Sequence, residues 1–208
     1  MRNSLLMITF IMPSTTVTSQ VHGGFEQYYY TGAGASVIVP KVYYESRQHW
    51  YGEVRYNYEE SQTISFNAGK VFSNNKLCSY SVTPFAGIVM GRLNGGTLGS
   101  NVKMEYNNFF FSSESQYTFS IEKTTENFFF NWSESGYQFT KVVYAGLALQ
   151  LTHPYEIKNN WEPGVMMGLM YKSWTFPVYA FNPASNHRSF VLGINWEWKY
   201  MKLRNVKL

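Results

Sequence analysis

HWYGEVRYNYEESQTISFNAGKVF, residues 49–72, decides the fold, because it reads as two strands around a short turn. Side chains alternate across a β-strand, so every second residue lies on the same face. In the first strand the apolar face carries Trp50, Gly52, Val54, Tyr56 and Tyr58, and the polar face carries Tyr51, Glu53, Arg55, Asn57 and Glu59. Since Trp and Tyr combine an apolar body with a polar tip, this pattern favours a lipid-facing exterior and a polar lumen.

Composition points the same way. Aromatic residues make up 19% of the chain and charged residues 14%, whereas an ordinary soluble domain has about 25% charged residues. The chain contains no Asp, and its mean hydropathy is −0.27. No apolar run approaches the roughly 18 residues that a transmembrane helix needs. A membrane protein without such a helix is a closed β-barrel, because only that structure also satisfies every backbone polar group in lipid.

The first nineteen residues look like a secretory signal peptide: a basic start at Arg2, an apolar core over residues 5–12, and a small polar run that ends at Ser19. The alternative is a buried first strand. We expect a signal peptide over residues 1–19, a barrel over residues 20–198 and a basic periplasmic tail over residues 199–208. The single cysteine, Cys78, excludes an internal disulfide framework.

Turn signals recur every ten to fifteen residues along the barrel region and separate strands of bilayer-spanning length. They predict eleven strands from Val37 to Trp198. Residues 27–36 supply a further strand, giving an all-β, single closed antiparallel transmembrane barrel of about twelve strands, or ten if that segment is a linker. The predicted turns are residues 45–48, 59–62, 73–76, 92–100, 112–116, 123–126, 134–140, 153–163, 171–174 and 182–186, of which 92–100 and 153–163 are long outer loops.

The last strand has the clearest pattern, with Phe190, Leu192, Ile194, Trp196 and Trp198 on one face. We expect this face to contact lipid. Alternation across the strands predicts a lumen lined by Glu53, Arg55, Asn57, Lys70, Lys103 and Glu105, and a lipid-facing girdle of Trp50, Tyr58, Trp196 and Trp198. The triple Phe at residues 128–130 breaks the alternation, so the face that Glu134 occupies stays open.

Several blocks resemble those of a largely uncharacterised family of small Gram-negative outer-membrane β-barrel proteins. The blocks are HWYGEVRYNYEE, SVTPFAGIVMGRLNGGTLG, FFFNWSESGYQ, VVYAGLALQ and GVMMGLM, and they cover most of the mature chain in order. The resemblance implies the fold and an outer-membrane location. It implies no activity and no catalytic residues.

Three functions fit these features. The first is a narrow channel, uptake facilitator or structural barrel without catalysis. The second is a lipid-active outer-membrane hydrolase that uses His187 and Ser189 at the outer rim, although a third group to orient the imidazole is missing from the local sequence. The third is a soluble exported ligand-binding barrel, which would need its aromatic face inside.

No pair of histidines has metal-ligand spacing, and no phosphate-binding glycine loop is present, so the sequence predicts no metal and no cofactor. The formal net charge is +4, and the positive charge is concentrated in the tail, at Lys199, Lys202, Arg204 and Lys207. Nucleic-acid binding is therefore not supported. The expected partners are outer-membrane lipids and, during insertion, the barrel-assembly machinery; the sequence leaves the oligomeric state open.

Overall fold

The computed structural model describes residues 21–32, 36–75, 78–154 and 160–200. Its regular structure in these ranges is almost entirely β-strand, with one short 3₁₀ helix at Thr124–Glu126. The strands are β1 (Val21–Gly32), β2 (Val37–Glu45), β3 (Trp50–Tyr56), β4 (Thr63–Lys70), β5 (Phe72–Asn75), β6 (Ser79–Gly91), β7 (Gly95–Tyr106), β8 (Phe109–Ser120), β9 (Phe128–Gln138), β10 (Val143–Pro154), β11 (Asn160–Tyr171), β12 (Trp174–Phe181) and β13 (Ser189–Tyr200).

Antiparallel pairing closes the sheet into a barrel. Apart from β4 and β5, each strand pairs with its sequence neighbours, and β1 also pairs with β13, so that Phe25 lies between Val42 and Trp196. β4 and β5 follow one another along the same edge of β6, separated by Val71, and together form one wall position. The thirteen strands of the described chain therefore make a twelve-position barrel, which confirms the predicted strand number. In the described chain closure pairs both edges of every strand except β5, which pairs with β6 alone. A barrel closed in this way can satisfy its backbone polar groups in lipid.

The outer face is an apolar belt. Alternate residues of the strands expose large aliphatic side chains, among them Ile38 (48%), Leu98 (58%), Leu147 (65%), Met167 (58%) and Ile194 (45%). Such side chains would aggregate in water, but they match the outward band of a membrane barrel. The intervening residues point into the lumen.

The two ends of the barrel differ in their connections. At one end, called here the tight-turn end, the strands are joined by residues 46–49, 107–108, 139–142 and 172–173. At the opposite end, the loop end, the connections are residues 57–62, 92–94, 121–127 and 182–188. Because outer-membrane barrels place short turns in the periplasm and longer loops outside, the loop end corresponds to the outer surface.

Five predicted turns need correction. Residues 73–75 of the predicted turn 73–76 belong to β5. The predicted outer loop at residues 153–163 is shorter than expected, because residues 153–154 belong to β10 and residues 160–163 to β11. Residues 112–116 lie inside β8, and the chain turns instead at Asn107 and Asn108, where Asn107 has a φ of 54°. The predicted outer loop at residues 92–100 shrinks to residues 92–94, because β7 begins at Gly95. The predicted turn at residues 134–140 moves to residues 139–142, so that Glu134 lies within β9.

No helix among the described residues has the length and apolar character required to cross a membrane. The expected signal peptide and most of the basic tail, at residues 1–19 and 199–208, lie outside the described residues except for the last two residues of β13.

Candidate functional site in the barrel lumen

A cavity of about 510 Å³ occupies the lumen from the tight-turn end to the middle of the barrel. Inward-facing side chains of nearly every strand line it. Its ionisable lining is dominated by carboxylates, with six glutamates against two lysines: Glu26, Glu45, Glu105, Glu114, Glu134, Glu197, Lys41 and Lys103. A lumen wall of this composition attracts cations and repels anions, since low-dielectric walls strengthen the field of the charges they carry.

Arg55 is the centre of a buried ionic cluster at the inner end of the cavity. The residue is 0% exposed, and its Nη2 lies 2.6 Å from Glu53 Oε1 and 2.8 Å from Glu114 Oε1. Its Nη1 donates to Gln116 Oε1 at 2.7 Å. The Tyr58 ring lies 4.2 Å from the guanidinium carbon, and the Tyr58 hydroxyl donates to Glu114. Two carboxylates therefore offset the charge of one buried cation.

Lys41 extends this cluster along the wall. Its Nζ lies 2.8 Å from Glu26 Oε2 and 3.5 Å from Glu114 Oε2. Glu114 thus receives Arg55 on one oxygen and Lys41 on the other. The cluster ties β1, β2, β3 and β8 together across the lumen, and charge-assisted hydrogen bonds of this kind are the strong ones.

Beyond the cluster, side chains fill the loop half of the barrel. Residues of six strands point inward there and are no more than 2% exposed: Thr63, Ser65, Val89, Thr97, Gln116, Thr118, Phe181 and Val191. The connection 57–62 adds Glu59, whose Oε1 accepts a hydrogen bond from Gln116 at 3.4 Å. Burial raises the pKa of the Glu59 carboxyl above its ordinary value, although Arg55 opposes the shift. The described side chains therefore fill the lumen between the cavity and the loop end.

An aromatic wall formed by β1, β9, β10 and β12 faces the ionic cluster. Trp132 and Tyr179 meet edge to face, with ring centroids 5.0 Å apart, and Tyr28 lies 6.2 Å from Trp132 and 6.4 Å from Tyr179. Glu134 stands among these rings: its Oε1 accepts hydrogen bonds from Trp132 Nε1 at 2.6 Å and from the Tyr179 hydroxyl at 2.7 Å. Glu134 therefore faces the lumen, which the sequence left open.

The structure distributes the predicted lumen residues over different places. Glu53 and Arg55 are buried inside the barrel, and Lys103 and Glu105 line the cavity. Asn57 instead begins the connection after β3, where it has a φ of 56° and its Nδ2 donates to the Ile38 carbonyl at 3.0 Å. Lys70 lies on the outer face, with Nζ 4.7 Å from the centre of the Trp50 ring. The lumen assignment of Asn57 and Lys70 is corrected accordingly.

The structure places some of the predicted girdle residues on the outer face and one inside the barrel. Trp50 is 61% exposed on the outer face, and Trp196 lies outward between Trp174 and Trp198, at centroid distances of 6.0 and 5.1 Å. Tyr58 is the exception, because it lies inside the barrel against Arg55. The strand ends at Tyr56, and the left-handed backbone at Asn57 reverses the face on which the next residue lies.

The two candidate hydrolase residues lie at the loop end. His187 is exposed in the connection 182–188, where its backbone N–H donates to Ser185 Oγ at 3.0 Å. Ser189 is the first residue of β13. In the described part of the chain no hydrogen bond joins the His187 imidazole to the Ser189 hydroxyl, and no group of three His, Cys, Asp or Glu residues suited to a metal ion is found.

The sequence missed four residues that the lumen depends on: Glu114, Gln116, Trp132 and Tyr179. Glu114 and Gln116 were assigned to a turn, although their spacing of two is that of a strand face. Trp132 has the same spacing from Glu134, which would have placed both on one face had the strand been recognised.

Comparison with known proteins identifies relatives of the fold alone. No family model matches the chain, and no curated protein matches its sequence. Among solved structures, the KdgM porin is similar with a TM-score of 0.59 and 12% identity, covering 83% of this chain and 98% of the porin. The KdgM porin in complex with disordered oligogalacturonate is similar with a TM-score of 0.58 and 13% identity, over 84% of this chain and 98% of the porin. The NanC porin is similar with a TM-score of 0.55 and 12% identity, over 87% of this chain and 100% of the porin. The chain thus has the twelve-stranded barrel fold of these outer-membrane porins.

Proposed function

We propose that this protein is a narrow outer-membrane channel that favours small cationic and neutral solutes over anions. Three features support the proposal: the porin-like closed barrel, the apolar belt on its outer face, and a cavity that opens inside it. The exposed belt disfavours the soluble ligand-binding alternative, since large aliphatic groups such as Leu147 and Met167 face outward.

The excess of carboxylates in the cavity is the reason for the proposed preference for cations over anions. Six glutamates and two lysines line it, and Arg55 and Glu53 just beyond it balance one another. One of the similar porins is described as a complex with oligogalacturonate, an anionic sugar chain. The acidic cavity of the present chain disfavours such a solute, because an entering anion would lose hydration and meet like charge.

Planar-bilayer recording of the purified protein tests this proposal. Under a KCl gradient we expect small single-channel currents whose reversal potential has the sign of potassium selectivity. Glu105→Gln combined with Glu197→Gln should reduce that selectivity, because both glutamates line the cavity. Glu60→Gln combined with Glu122→Gln, which also removes two charges but from the exposed connections 57–62 and 121–127, is the matched control. Chloride selectivity would contradict the proposal.

A structural barrel without transport is the second candidate, and one observation favours it. The loop half of the lumen is packed with side chains that are 0–2% exposed, including Thr63, Gln116 and Phe181. A protein that folds into bilayers and shows no conductance at any voltage would support this second function in place of the first.

We further propose that the chain is a member of the uncharacterised family of small Gram-negative outer-membrane barrels whose sequence blocks it resembles. Outer-membrane lipids would be its permanent surroundings, and the barrel-assembly machinery its partner during insertion. Residues 1–19 would be removed on export. The basic periplasmic tail, expected from residue 199, would begin after Tyr200, because Lys199 and Tyr200 belong to β13. Amino-terminal sequencing of the protein from outer membranes tests the first boundary, with Gln20 expected as the first residue.

A further inference from the structure

Glu134 is a carboxylate that lines the lumen cavity. The other carboxylates near the middle of the cavity, Glu26 and Glu114, are paired with Lys41 or Arg55. Among the described residues no Lys, Arg or His nitrogen makes an ion pair with Glu134. A carboxylate that is largely removed from water costs free energy unless a cation or several hydrogen bonds compensate for it.

The hydrogen bonds of Glu134 leave one oxygen available. Both donors, Trp132 Nε1 and the Tyr179 hydroxyl, bind Oε1. Oε2 accepts no hydrogen bond from the described residues, and Glu134 lines the cavity. The two bonds fix the orientation of the carboxylate, so Oε2 is a pre-positioned acceptor for a donor that enters the lumen.

The rings around Glu134 suit the same kind of guest. Tyr28, Trp132 and Tyr179 lie within 5.0–6.4 Å of one another by ring centroid, and all three line the cavity. The faces of Trp and Tyr attract cations, and the attraction strengthens when water is excluded. An alkyl chain would also be accommodated by the apolar faces of these rings.

A second acceptor beside the same rings lacks a donor. Asn195 Nδ2 donates to the Tyr28 hydroxyl at 3.2 Å, while Asn195 Oδ1 is buried and has no hydrogen-bond partner within the described structure. Asn195 lines the cavity as well. Buried polar atoms are normally paired, so the unpaired acceptor of Asn195 is a second group beside the Tyr28 ring that an N–H donor would satisfy.

We infer that Glu134, Tyr28, Trp132 and Tyr179 form a binding site for a small organic cation of the alkylammonium or guanidinium class. The inference rests on the proposed channel function and deepens it, because all four residues line the cavity through which a solute would pass. The cation's N–H groups would donate to Glu134 Oε2, and its alkyl part would lie against Tyr28 and Trp132. Tyr179, which is 2% exposed, would hold the carboxylate in place through its hydroxyl. The site would thus select among the cations that the acidic lumen admits.

Titration of the refolded protein with n-butylammonium chloride tests the site, with heat of binding and tryptophan fluorescence as readouts. We expect saturable binding to the unchanged protein. Glu134→Gln keeps the acceptor for Trp132 and Tyr179 but removes the charge, and it should weaken binding about tenfold or more, the effect of losing one charged hydrogen bond. Glu60→Gln, which removes a charge from the exposed connection 57–62, should leave the affinity unchanged.

Neutral n-butanol, of nearly the same shape, separates charge recognition from partition into detergent or apolar surface. The inference is overturned if n-butanol binds as well as n-butylammonium, if no saturable binding is found, or if Glu134→Gln binds as tightly as the unchanged protein. Conductance recorded without the amine distinguishes the two proposals. A conducting protein that does not bind the amine refutes only the site, and a non-conducting protein that binds it through Glu134 refutes only the channel.

Discussion

Replacing Arg55 by Met should be among the most destabilising single changes in the barrel. The substitution keeps much of the side-chain length but removes a buried charge that lies 2.6 Å from Glu53 and 2.8 Å from Glu114. Both carboxylates would then lie in the lumen without their shared cation, and Gln116 would lose its donor. Removing one partner of a buried ion pair costs about 3–5 kcal/mol, so we expect a loss of that size in the free energy of unfolding.

The matched control is Arg92→Met. Arg92 lies 4.0 Å from Glu60, and the two side chains are 66% and 47% exposed. Solvent screens such a pair, so it contributes only about 0–1 kcal/mol to the free energy of unfolding. The control therefore shows how much of the Arg55→Met effect is due to burial and how much to losing any arginine. Urea unfolding of both variants in lipid vesicles, followed by tryptophan fluorescence, measures the two losses on one scale.

A double variant tests the cause. If the cost of Arg55→Met comes from the carboxylate charge of Glu114, which then keeps only Lys41 as a cation partner, adding Glu114→Gln should cost less than it does in the unchanged protein. The interaction free energy from this double-mutant cycle should be in the range of about 0.5–3 kcal/mol for residues in contact. Additive losses, or an Arg55→Met loss no larger than that of Arg92→Met, would refute the electrostatic account of the lumen cluster.

Three further predictions concern the outer face, the inward loop and the rim. Ile194→Arg, near the middle of the apolar belt, should cost about 2–4 kcal/mol of folding into bilayers; a neutral effect would mean that Ile194 does not face lipid. The folded state raises the pKa of Glu59, so its contribution to stability is present below the ordinary value of 4.5 and declines as pH rises above it. Glu59→Gln should abolish that decline in unfolding titrations at acidic and neutral pH, and persistence of the decline would assign it to another group. Ser189→Ala should leave any phospholipase or lipid A deacylase activity of the purified protein unchanged, and loss of a robust activity would make the protein an enzyme.

Alternation identified the faces of the barrel wherever a strand is continuous and its two faces differ in polarity. From Trp50 to Tyr56 the sequence places each side chain on the face that the structure gives it. The rule ends with the strand, so Tyr58, two residues beyond Tyr56, lies inside instead of on the girdle. A single residue with left-handed backbone, Asn57, is enough to change the parity.

Polar and glycine-rich segments misled the turn assignment for two physical reasons. In β8 both faces are polar at this point, with Ser113 outside and Glu114 inside, so the sequence shows no alternation of polarity. Ser113 is tolerated on the outer face because it forms hydrogen bonds with Ser133 and Asn131 at 2.9 and 3.0 Å. In β7 the glycines make room for neighbours: a Cβ at Gly96 would lie 2.4 Å from the Phe119 ring. Glycine there permits close packing within a strand and does not mark a loop.

The lumen clusters could not be assembled from the sequence, because their members meet through closure of the barrel. Arg55 and Gln116 are 61 positions apart, and Glu134 and Tyr179 are 45 positions apart. Knowing that each side chain points inward does not give its depth, and two inward residues interact only when they lie at the same level across the lumen. Strand tilt and stagger set that level, and both depend on the register of all twelve wall positions together.

Closure of the cavity follows from the same clusters that give the lumen its charge. Tyr58 and Glu59 come from the connection 57–62 and bind Glu114 and Gln116, which also hold Arg55. The loop is therefore fastened to the wall by groups that a permeating cation would contact, and an open path requires these bonds to be exchanged for bonds to the solute. Anions cannot make that exchange with Glu114, whereas cations can, because a cation supplies what Arg55 supplies now. If the protein is the channel proposed above, the acidic residues would both fill the lumen and determine the charge of the solute that can displace the loop.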